Sequence, residues 1–125
     1  MFPEQKLVYE RFTGTTDRKE FQEMVYQLWK EPDYHKDINV IMDFRQSAMD
    51  YKPEDIRNLC QFFMDEPDAT DGLGAFLVST PKETALTELF ELNIKEHNNV
   101  GVFSTWGAAA AFLGVTIDDP FAEEN

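Results

Sequence analysis

The polar residues best placed to act together are Asp43, Arg45, Ser47, Ser79, Thr80, Ser104 and Thr105, with Trp106 beside the last of them. Most of them follow closely on an apolar run: Asn39 to Met42 before Asp43, Gly74 to Val78 before Ser79, Val100 to Phe103 before Ser104. If the runs are neighbouring parallel strands, these side chains gather at their carboxyl ends, where open α/β sheets place ligand sites. An acid, a base and several hydroxyls there can bind a ligand or partner by charge-assisted hydrogen bonds. The same residue types also do structural work. Hydroxyls at strand-to-helix turns cap helices, and Asp43 and Arg45 can satisfy backbone groups or each other. Capping is the commoner use of such hydroxyls, so the ligand or partner site is the secondary reading.

Other chemistries find less support. A phosphoryl-accepting receiver domain also places an aspartate after a central strand, but it needs an acidic pair after the first strand and a lysine after the last. Here those places hold Phe12-Thr13-Gly14-Thr15 and Ser104-Thr105-Trp106. Cys60 sits beside Leu59 and Phe63 on an apolar stripe and reads as an inert core thiol. His35 and His97 have no second histidine or cysteine at metal-ligand spacing, and the acidic group Asp65, Glu66, Asp68 and Asp71 lacks the ordered spacing of a calcium loop. Gly72 and Gly74 precede a strand instead of opening a helix, the wrong context for cradling phosphate. No metal, cofactor or catalytic residue is expected.

The elements that must position these residues follow from periodicity. Lys6 to Phe12 reads as a strand near a sheet edge, and Thr13 to Thr16 as a turn. Asp17 with Glu20 makes a capping box for a helix burying Phe21, Met24, Val25 and Leu28, which Pro32 ends. Val40 to Arg45 reads as the central buried strand, followed by a loop from Gln46 to Lys52. Pro53, Glu54 and Asp55 open a helix with Ile56, Leu59, Cys60 and Phe63 on its stripe. A strand over 74–78, a helix from Thr80-Pro81 carrying Leu86, Leu89, Phe90 and Ile94, and a strand over 100–103 come next. A last helix packs Ala108, Ala111 and Phe112 and stops at Gly114. Strand and helix alternate four times, which predicts an α/β domain: a single-layer, mostly parallel sheet of about four strands flanked by about four helices. Residues 1–115 form that domain, and 116–125 an acidic tail expected to be loose unless Phe121 docks.

Composition narrows the function classes. With 125 residues the chain is one domain's length, and its 24 acidic against 11 basic residues give a net charge of −13. That charge repels phosphate backbones and anionic headgroups, so neither nucleic acid nor membrane is an expected partner. One cysteine, no long apolar run and no leader pattern fit a soluble cytoplasmic protein. Tyr26, Trp29, Phe62, Met64 and Trp106 fall off the main stripes or at helix ends. They suit either a second core layer or a groove or self-association surface.

The succession Leu7-Val8-Tyr9-Glu10-Arg11-Phe12-Thr13-Gly14, the Phe21 to Trp29 helix and Val40-Ile41-Met42-Asp43-Phe44-Arg45 resembles the STAS-like superfamily of small bacterial proteins. Val102-Phe103-Ser104 and Ala108 to Gly114 look like the closing strand and helix of that group, which includes SpoIIAA-like and STAS/SEC14-like members. The resemblance covers residues 5 to about 115 in pattern and spacing, without a catalytic motif. It implies a mixed sheet whose first strand is antiparallel to its neighbour. Anti-sigma-factor antagonists of the group carry an Asp-Ser pair where the second helix begins. Here Asp50-Tyr51-Lys52-Pro53 stands there with no serine, and Ser47 lies too early, so the phosphorylation switch does not carry over. The expected function is a non-enzymatic binding or regulatory module whose partner is a protein, either another chain or a second copy. The alternative is a carrier of a small apolar or lipid-like ligand with Asp43 and Arg45 as polar anchors. An uncharacterised enzyme using Asp43 and the hydroxyls is the weakest reading.

Overall fold

A computed structural model describes residues 5–66, 72–94 and 99–120. Its elements are β1 (Leu7–Asp17), α1 (Arg18–Trp29), β2 (Asn39–Asp50), α2 (Pro53–Asp65), β3 (Leu73–Leu77), α3 (Pro81–Ile94), β4 (Asn99–Phe103) and α4 (Trp106–Leu113). The four strands form one sheet in the order β1-β2-β3-β4, and every neighbouring pair is parallel. The expected α/β class, with one sheet and four helices, is what the chain adopts. The first strand differs from what the STAS-like resemblance implies. It runs parallel to β2, with Val8 opposite Val40 and Tyr9 opposite Ile41. The 12-residue α1 between them returns the chain to the end of the sheet at which β1 began, so β2 starts there and runs the same way.

Parallel strands laid down in sequence order need a crossover at each step, and right-handed crossovers place successive helices on one face. Phe21 and Val25 of α1, Ile56 and Leu59 of α2, and Phe90 and Ile94 of α3 accordingly share one core with Phe12, Phe44 and Phe76 of the sheet. The rings of Phe12 and Phe44 stack with centres 4.3 Å apart, and Phe76 meets Phe90 edge-on at 5.3 Å. On the opposite face α4 packs Trp106, Ala109, Ala110 and Leu113 against Leu7, Ile41, Ala75 and Leu77. Its 8 residues are too few to cover four strands. The segment after it completes the cover, with Val115 and Ile117 in the same cluster.

The helix starts follow the sequence signals. Asp17 accepts from the Glu20 N–H at 2.9 Å, Pro53 and Pro81 open α2 and α3, and Thr105 accepts from the Ala108 N–H at 3.2 Å. Gly114, at φ 71°, ends α4 in the left-handed conformation. The buried face of α4 is not the expected one: Ala108 and Ala111 are exposed, while Trp106, Ala109, Ala110 and Leu113 are buried. A helix of alanines carries almost no hydropathic contrast, and its largest side chain sets the phase. In α3 the stripe turns slightly, burying Thr87 with Phe90 and Ile94 and leaving Leu86 and Leu89 half-covered.

Two expected connections are strand instead. Thr13 to Asp17 pairs with Gln46 to Asp50, extending β1 and β2 beyond the shorter β3 and β4. Arg11 stands opposite Asp43 but Thr13 opposite Gln46, so β2 carries one extra residue in a bulge at Phe44–Arg45. Gly14 meets its bend at φ 69°. Thr16 and Met49, paired across the extension, are both buried, which is what holds this ribbon to the core.

Candidate functional site

Alternation along β2 decides what Asp43 and Arg45 can reach. Val40 and Met42 face α1 to α3, whereas Ile41 and Asp43 face α4. Asp43 is 1% exposed and accepts three hydrogen bonds from one residue: the Arg45 N–H and Nε at 3.0 Å each on Oδ1, and Nη2 at 2.8 Å on Oδ2. The same Nη2 donates to Asp119 at 3.0 Å. The fork of the guanidinium is thus held by two carboxylates, and Asp43 foremost raises the Arg45 pKa and keeps it charged. The pair is a strut that pins the last described turn of the tail to the sheet. Trp106 does the same nearer α4, donating from Nε1 to the Ile117 carbonyl at 2.6 Å, while the Thr116 N–H reaches the Gln5 side chain at 3.3 Å. The tail is therefore docked as far as Asp119, against the expectation of a loose segment. Phe121 lies outside the described residues.

The remaining polar candidates disperse. Ser79 donates to the Arg45 carbonyl at 3.2 Å and so joins the strut. Ser47 lies within β2's extension, donating to the Gly14 carbonyl at 2.9 Å and standing 3.1 Å from the Thr16 hydroxyl. Thr80 bonds the Glu83 carboxylate at 2.5 Å at the start of α3, Thr105 caps α4, and Ser104 is exposed. Trp106, which suited either a core layer or a groove, is buried in the α4 core and stands edge-on to Tyr9 at 5.9 Å. Only Asp43, Arg45 and Ser79 come together, and each is engaged internally. Among the described residues no three metal-ligating side chains gather; Asp68, Asp71 and His97 lie outside them. Cys60 is buried, with its thiol pushed up to about 11 by loss of water.

An apolar space lies elsewhere, on the helix-bearing face at the amino ends of the strands. A cavity of about 80 Å³ is bounded by the last turns of the helices (Leu28, Trp29, Phe63, Ile94) and the first residues of the strands (Val40, Gly74, Val100). Its floor explains it. Val8, Val40, Gly74 and Val100 stand in one row across β1 to β4, three branched side chains and one position with none. Sequence reading missed this site because its signal is a missing side chain, and glycine at 74 reads equally well as a turn residue.

Beside this cavity lies an aromatic surface. Trp29 stacks on Phe62 with ring centres 5.6 Å apart, and Tyr26 meets both edge-on at 5.6 and 5.3 Å. Tyr26 is 44% exposed and Met64 39%. Tyr26, Trp29 and Phe62, on α1 and α2, form an aromatic cluster with Tyr26 at its exposed rim, and its Trp29 also walls the cavity. Among the described residues no helix is long and apolar enough to cross a membrane. Comparison of the chain with family models, with curated proteins and with solved structures finds no match.

Proposed function

We propose that the chain is a non-enzymatic binding module of the STAS-like kind that acts through protein–protein contact in the cytoplasm. The observation that carries this reading is the aromatic cluster of Tyr26, Trp29 and Phe62, half-buried against the core and surfacing at Tyr26. Rigid aromatics packed on one another at a surface are enriched in protein contact surfaces. The polar groups at the strand ends support it from the other side. Asp43, Arg45 and Ser79 hydrogen-bond to one another, as residues with a structural role do. The alternation of strand and helix supports the family resemblance, and the parallel β1 departs from it. The partner is another protein or a second copy, and the net charge of −13 disfavours nucleic acid.

The test compares the wild-type chain with Tyr26→Glu/Met64→Glu. Both positions are exposed, so the double variant is expected to fold. Sedimentation of each alone, and affinity capture of each from the native cell, should show an association that the double variant loses. A chain that stays monomeric and captures the same proteins with and without the substitutions overturns the proposal.

A second reading, a carrier of a small apolar ligand, is favoured by the cavity. Asp43 and Arg45 are not its anchors. They face α4, whereas the cavity opens on the opposite side of the sheet.

A further inference from the structure

We infer that the cavity above Gly74 is a binding site for a small uncharged hydrocarbon group, an unbranched chain of about four carbons being the best fit to its size. The inference deepens the carrier reading and does not depend on the protein-contact one. Three observations carry it. The first is the floor: in the row Val8, Val40, Gly74, Val100, a central strand holds glycine where its neighbours hold valine. Glycine inside a strand weakens it and marks a place where something approaches closely. The second is that nothing in the backbone requires it. A Cβ built on Gly74 would meet only the Val100 Cγ2, at an ordinary 3.8 Å, so alanine fits. The smaller residue therefore leaves room that the fold itself does not need.

The third observation is chemical. The lining side chains are aliphatic or aromatic, including Val25, Leu28, Phe63, Phe76 and Ile94, and no charged residue lies among them. The polar side-chain atoms of the lining are those of Trp29 and Tyr34, so a charged ligand would lose its hydration there with no opposite charge in return. Water gains few hydrogen bonds in a pocket so lined, so an apolar occupant displaces it at little cost. A cavity of about 150 Å³ takes benzene. At about 80 Å³ this one takes something slimmer.

The experiment is methyl-resolved NMR of the full chain titrated with n-butane, with benzene as the larger probe. Butane should shift the methyls of Leu28, Val40, Ile94 and Val100 saturably and more tightly than benzene does. Gly74→Ala should weaken butane binding about tenfold or more, as one added carbon in an apolar pocket does, without lowering the melting temperature. Val40→Ile fills the cavity from a second side and should act alike. Tyr26→Glu/Met64→Glu should leave butane binding intact, so failure here is separable from failure of the protein-contact proposal. No saturable shift, shifts confined to the α1–α2 surface or to Leu92, or unaltered binding in both filled variants overturns the inference.

Discussion

Asp43 is a candidate for binding a ligand or partner in the sequence and behaves as a fastener in the fold. Its side chain and that of Arg45 are 2% and 17% exposed, so the pair has little water to fall back on. Removing the charge of one partner should leave the other buried and undercompensated, at a cost of about 3 kcal/mol. Denaturant unfolding of Asp43→Asn should show that loss. Replacing both residues, as Asp43→Leu/Arg45→Met, should cost less than the two single changes added together. Glu10 presents the opposite case. Burial, with the Glu31 charge adding to it, raises its pKa above the ordinary 4.5. A carboxyl whose pKa is raised by folding favours the native state only while protonated. Its contribution is complete below the unfolded pKa and is lost as pH rises through the folded one. Glu10→Gln should therefore melt higher than wild type near neutral pH, and the two curves should converge below about pH 4.

At the scale of elements, capping chemistry was legible where it is local. Asp17 with Glu20, and prolines 53 and 81, mark helix starts by hydrogen bonds and fixed dihedrals that need no tertiary context. The misreadings share a cause. Thr13 to Asp17 and Gln46 to Asp50 look like turns because each is polar, and only their pairing with one another makes them strand. The face of α4 was unreadable among alanines, and Trp106 became intelligible only with its Ile117 partner 11 residues away. For the same reason the candidate site was half legible: Asp43, Arg45 and Ser79 do meet, yet the tail residue that completes the strut, Asp119, lies 74 positions from Arg45. Deleting residues 115–125 tests this account. Without Val115, Ile117 and Asp119, the indole of Trp106 should gain water, red-shifting its fluorescence, and the melting temperature should fall. An unchanged melt would mean that the tail contributes nothing.

For the molecule as a whole, charge and layering work against each other. An excess of 13 negative charges opposes compaction, and exposed ion pairs such as Lys6–Asp37, 2.7 Å apart, do little to offset it. Salt screens this self-repulsion over about 10 Å at 0.1 M. The melting temperature should therefore rise between low and moderate salt, and a melt indifferent to salt would show that the charges are already well dispersed. The layering is uneven too. Three helices cover one face, and the other depends on α4 and the tail, all of it encoded after residue 105.

That unevenness bears on how the chain comes into being. Each strand pairs with the strand next to it in sequence, so the sheet and its three-helix face can assemble step by step as the polypeptide is synthesised. Leu7 and Ile41 precede β3 and β4, yet the residues that shelter them follow all four strands, and the bond from Thr116 to Gln5 spans 111 positions. A chain whose strands have paired before α4 docks thus has one side of its sheet bare, and in that interval it is most open to aggregation.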